Sequence, residues 1–156
     1  MDYPEHEKVS HPGITNALIQ TLKMALEGDE TNQGWYNGIL RAMDNISAEK
    51  ASTPPGQGRT TAAAHAEHIR FTLQYMNGMF RGEKPQVDWA DSWKVQKVNE
   101  AEWESLRSEI KREYERLLEF IQEKPFWREQ GLAAMINNVG HTAYHAGAIR
   151  QILKGV

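Results

Sequence analysis

Two histidines, His141 and His145, stand four residues apart near the end of a chain of 156 residues. On a helix, four residues turn the backbone by about 400° and advance it about 6 Å. Both imidazoles then leave one face and can converge on a single metal ion. A second pair, His65 and His68, lies in the only other strongly periodic segment that carries histidine. Three imidazoles around one ion leave a coordination position open, which is how catalytic rather than structural metal sites are built. The other two histidines, His6 and His11, fall in residues 1–12, expected to be a mobile arm, and have no role in this scheme.

Composition narrows the chemistry further. The chain has no cysteine, so it offers no thiolate nucleophile, redox pair or zinc-finger ligand set. Any thiol must come from outside, and any metal must be held by nitrogen and oxygen. A formal net charge of -3 with no Lys/Arg block lacks the basic surface that nucleic-acid binding requires. No apolar run reaches the roughly 18 to 20 residues needed to span a bilayer, and residues 1–12 do not have the basic-then-apolar order of a signal peptide. The expectation is one soluble domain, residues 13–156, in the cytoplasm.

The elements that must position the histidines are all helical. Ile14, Ala17, Leu18, Leu22, Ala25 and Leu26 recur at intervals of three and four, the pattern of an amphipathic helix. After a break at residues 28–34, Trp35, Ile39, Leu40, Met43 and Ile46 share one side of a second stretch. The connector 52–59, with Pro54, Pro55 and two glycines, cannot continue a helix. Thr60 or Thr61 then caps a helix running to about Phe80, whose inward stripe reads His65, His68, Ile69, Thr72, Met76, Met79 and Phe80. Trp89 and Trp93, in the irregular stretch 83–98, are expected to close over an end or flank of the bundle.

Asn99 with Glu102 forms a capping signal for a long helix to about Glu123, built on Trp103, Leu106, Ile110, Tyr114, Leu117, Leu118 and Ile121. Its charges read as a solvated face with pairs such as Glu104–Arg107 and Glu109–Arg112. Pro125 ends it, and a last helix covers about 132–153. Period-two alternation and internal repeats are both missing. An all-α four-helix bundle with an extra N-terminal helical segment is the natural solution.

On the last helix, His141 and His145 lie within about 40° to 60° of the stripe Met135, Val139, Ala146, Ile149 and Ile152. A single histidine so placed is usually a hydrogen-bonded core residue. Several in one apolar interior would each leave a polar nitrogen unsatisfied at about 1 to 3 kcal/mol, which a shared cation relieves. Thr142 follows His141, so the glutamate of a zincin motif is absent. No Glu-x2-His motif puts a carboxylate on the inward stripe, and Glu67 faces away from it, so a di-iron carboxylate site is excluded as well. Asn138, one turn before His141, can reach a metal-bound ligand or bond a neighbouring helix.

The string from His141 to Gln151, His-Thr-Ala-Tyr-His-Ala-Gly-Ala-Ile-Arg-Gln, resembles the last-helix motif of the DinB/YfiT-like superfamily, and residues 60–69 are similar to that family's second helix. The resemblance implies an up-down-down-up four-helix bundle and one divalent metal, zinc or nickel foremost, held by His68, His141 and His145. His65 is the rival for the first position and is otherwise a second-layer, pocket-lining or packing residue. Tyr144 and Arg150 belong to the same string and are explained by helix packing or a dimer contact. The implied activity is that of a metal-dependent transferase using an external low-molecular-weight thiol, or of a hydrolase. Its substrate would be a small molecule and its state a homodimer. The alternative is a non-enzymatic bundle that the metal staples together, a dimeric structural or stress-related binding protein.

Overall fold

A computed structural model describes residues 8–9, 12–29, 38–123 and 127–154. Four long helices, α1 (Pro12–Leu26), α4 (Ala62–Phe80), α5 (Glu100–Gln122) and α6 (Glu129–Lys154), are joined by two one-turn helices, α2 (Ile39–Ala42) and α3 (Ala48–Ala51). A five-residue 3-10 turn, Trp89–Trp93, lies between α4 and α5. Two-residue strands β1 (Lys8–Val9) and β2 (Trp127–Arg128) pair antiparallel, Lys8 with Arg128 and Val9 with Trp127. The rest of the expected arm, with His6 and His11, lies outside the described residues, as do Trp35 and Pro125. Among the described residues no helix is long and apolar enough to cross a membrane.

The periodic sequence accounts for the bundle. Leu18, Leu22, Ala25 and Leu26 of α1, and Trp103, Leu106, Ile110, Tyr114, Leu117 and Ile121 of α5, are buried in one core. The capping box of α5 is present in both directions: Asn99 N–H donates to Glu102 Oε2 at 2.8 Å, and Glu102 N–H to Asn99 Oδ1 at 2.9 Å. On α4 the Thr61 hydroxyl accepts from Ala64 N–H, which satisfies one of the amides a helix start leaves orphaned. α4 packs on α5 and α6, and α1 on the same two helices. Contacts fix two directions. Asn77 with Glu113 and Phe80 with Phe120 show α4 and α5 parallel, whereas His65 with His145 and His68 with His141 show α4 and α6 antiparallel.

Three details depart from the periodicity. The second amphipathic stretch is helical, among the described residues, only in α2, because the chain turns at Asn45 with φ 58° and restarts at the Ser47 cap of α3. Met79, assigned to the inward stripe of α4, is 46% exposed, and Leu73 and Asn77 are buried instead. The charges of α5 are not all solvated: Glu113 is buried, accepting from Asn77 Nδ2 at 3.0 Å and facing Arg116 at 3.1 Å. Glu104 and Arg107 pair as expected. Glu109 faces Arg70 at 3.7 Å, and Arg112 faces Glu113 at 3.8 Å, so the pair Glu109–Arg112 is replaced by these contacts.

Gly38 lies tight against the end of α1. Its φ is +65°, and a Cβ there would stand 2.2 Å from Gly28 N and 2.3 Å from the Glu27 carbonyl carbon, backbone atoms that no rotamer can move aside. Gly38→Ala therefore combines left-handed strain with overpacking, and a loss of about 3 kcal/mol is expected. Urea unfolding would read it as a lower midpoint at unchanged slope; a midpoint equal to that of the parent would refute the close approach.

Candidate metal centre

The histidines meet where α4 and α6 cross. Nε2 of His141 lies 3.0 Å from Nε2 of His68 and 3.1 Å from Nε2 of His145. One ligand nitrogen from each of the three falls within 4.8 Å of the others. Two nitrogens each about 2.1 Å from one ion, at tetrahedral or octahedral angles, are about 3.0 to 3.4 Å apart, and the two contacts at His141 match that spacing. No fourth His, Asp or Glu joins the group among the described residues.

His65 is drawn into the cluster differently. Its Nδ1 lies 2.8 Å from Nδ1 of His145, the ring nitrogen that does not face the other Nε2 atoms. His68 and His145 are buried, while His141 and His65 are half-buried. Burial first, and then the neighbouring His141 and His65, push the His68 imidazole down to about 4. Burial followed by His141, His65 and His68 pushes His145 down to about 3. Burial also lowers His65 and His141. Imidazoles so depressed are neutral at physiological pH, the state in which a ring nitrogen can bind a cation.

Ser92 and Trp93 complete the site, and neither was assigned to it from the sequence. The Trp93 ring stacks on His68 at 4.1 Å and 17°, and meets His65 edge-on at 5.4 Å. Trp93 thus covers the histidines themselves, while Trp89 remains 45% exposed beside Phe71 and Tyr75. Ser92 is fully buried, with Oγ 2.7 Å from His68 Nδ1. The loop is tied back over α4 by Thr61 Oγ1–H, which donates to the Gln96 carbonyl at 2.9 Å, and by Val98 N–H, which donates to Ser52 Oγ at 3.0 Å. The one usable sequence signal was Asp88, which caps the turn by accepting from Ala90 N–H.

Of the two roles open to it, Asn138 does not make the bond to a neighbouring helix. Its Oδ1 and Nδ2 are buried without a partner, as are Nδ1 of His141 and Oγ1 of Thr142 one turn along the same helix. Tyr144 is 70% exposed, with its ring against the edge of His145 at 4.9 Å. A groove of about 510 Å³, lined by Arg59, Thr60, Tyr144 and Gln151 among others, reaches the cluster at His65. Arg150 lies elsewhere, lining a groove with Arg41, Lys50 and Lys154. A larger groove of about 670 Å³ runs beside Glu67 and Arg70, where the charges already pair with each other at 2.7 Å.

A bundle that gathers neutral histidines from two antiparallel helices, with no fourth His, Asp or Glu donor among the described residues, defines a class of candidate metal-binding helical proteins. The sequence profile of the DinB superfamily matches residues 32–149, and the chain belongs to that superfamily. Comparison with curated proteins and with solved structures returned no match.

Proposed function

We propose that the chain is a metal-dependent enzyme acting on a small molecule, with His68, His141 and His145 as the ligands of one divalent ion, zinc or nickel. The observation that carries this is the convergence of three Nε2 atoms with no fourth donor from the described residues, beside a groove that reaches His65. When bound, the ion supplies Lewis acidity, which lowers the pKa of a water or thiol occupying the open position. The chain does the rest. Trp93 excludes water from one side of His68, and the groove between Arg59 and Tyr144 admits the substrate. Because the protein has no cysteine, a transferase reaction draws its thiol from outside, whereas a hydrolase needs only water.

The second reading, a metal that staples α4 to α6 without catalysis, is favoured by the Trp93 ring lying flat over His68. Exchange at the open position separates the two. Protein purified without a histidine tag should contain about one metal per chain, and its cobalt-substituted form should change its visible spectrum when a small thiol or azide is added. A spectrum indifferent to both would leave the staple. A chain that takes up no metal would end both readings.

A further inference from the structure

Ser92 has one proton to give, and its destination is fixed. Its Oγ lies 2.7 Å from the carbonyl oxygen of Trp89, which can only accept, so the hydroxyl donates there. The same Oγ lies 2.7 Å from His68 Nδ1. With its proton committed, it must accept, so His68 carries Nδ1–H. A neutral imidazole holds a single N–H, which makes His68 Nε2 a bare lone pair. The 3.0 Å contact from that atom to His141 Nε2 is attractive only if His141 carries its proton on Nε2. That N–H also faces His145 Nε2 at 3.1 Å, where another proton would set two donors against each other. His145 therefore has a bare Nε2 and a proton on Nδ1. His65 Nδ1, 2.8 Å away, accepts it, which leaves the His65 proton on Nε2.

We propose that Ser92 is a positioning residue that sets the tautomers of all four histidines, with His65 as the last acceptor in the series, so that His68 and His145 present bare Nε2 atoms to a common point before any cation arrives. Two of the three ligands are thereby preorganised, and only His141 must rearrange. On loading, its proton passes from Nε2 to Nδ1 with no change in net charge. Nδ1 of His141 is buried without a protein partner, and so are the oxygens of Asn138 and Thr142 on the same face-forming turn of α6. Neither oxygen bonds Nδ1 as the ring now stands, and one bridging water would give the relocated proton an acceptor. The last step rests on the metal reading above, whereas the tautomer assignment does not.

The test starts with metal-free protein labelled with 15N-histidine at neutral pH, in which correlation spectra distinguish protonated from bare ring nitrogens. The expected pattern is Nδ1–H for His68 and His145 and Nε2–H for His65 and His141. A proton on Nε2 of His68 or His145 would overturn the proposal whatever the variants do. Ser92→Ala removes the acceptor and should scramble the pattern and weaken zinc binding about 10- to 100-fold, with Ser92→Thr restoring both. If Ser92→Ala keeps the parent's tautomers and its zinc affinity to within about twofold, Ser92 has no positioning role. Should the chain bind no zinc, the metal reading fails, and the spectra of the metal-free protein still decide the tautomers.

Discussion

His141→Ala is expected to take bound metal from about one ion per chain to none while leaving the helical content unchanged. His141 is the shared vertex of the cluster, its Nε2 being within 3.1 Å of both other Nε2 atoms. Deleting it leaves two imidazoles and no third donor among the described residues, too few to hold a divalent ion against water. The backbone of α6 does not depend on the ring. His141 is half-buried and its Nδ1 has no partner, so truncation is a local change that removes one unsatisfied atom and takes from His68 and His145 the Nε2 that faces them. Elemental analysis with circular dichroism reads both outcomes, and His65→Ala supplies the contrast. Within the cluster His65 bonds the Nδ1 of His145 rather than its Nε2, and loss of such an outer partner weakens a site about 10- to 100-fold. Unchanged metal content in His141→Ala would sink the ligand assignment, and complete loss in His65→Ala with retention in His68→Ala would hand the first position to His65.

The helices were legible because their signals are local. The Asn99–Glu102 box, the Thr61 cap and the three-four spacing of apolar residues act within one or two turns, and each appears in the structure. The convergence of the histidines was half legible. The i, i+4 spacing puts His141 and His145 on one face, but only packing of α4 against α6 decides that His68 meets their Nε2 atoms and that His65 meets the back of His145. That Ser92 and Trp93 reach the histidines was not legible: the Asp88 cap marks a turn, and Trp93 reads only as a cover for an end or flank of the bundle. They sit in a short 3-10 turn whose course over α4 depends on Thr61, Ser52, Gln96 and Val98, residues up to 46 positions apart in sequence. Glu113 shows the same limit. On a helix dense in solvated charge, it turns inward because Asn77 on the parallel α4 offers it a buried amide.

Acid should unfold the metal-free protein earlier than its carboxylates alone would allow. An unfolded chain protonates its histidines near 6.5, while burial and mutual proximity hold His68 down to about 4 and His145 down to about 3 in the fold. Between those values the unfolded state binds protons that the folded state refuses, so stability rises with pH across the window. The contribution is fully present above pH 6.5 and is lost as the pH falls toward 4. Both rings are nearly inaccessible, at 8% and 4% exposure, so solvent screens little of this. Each histidine that stays neutral gives a slope of about 1.4 kcal/mol per pH unit, and one such group accounts for about 3 kcal/mol over the window. For a domain stable by about 5 to 15 kcal/mol, that is a large share. Urea unfolding at intervals between pH 7 and 5, above the usual carboxylate range near 4, isolates the histidines. His145→Asn, which cannot titrate, should flatten the slope, and zinc should add stability at pH 7 but progressively less at lower pH, because protons compete for the same nitrogens. An unfolding free energy that stays level from pH 6.5 to 5 would mean that the imidazoles charge freely inside the folded protein, and would refute the depression of His68 and His145.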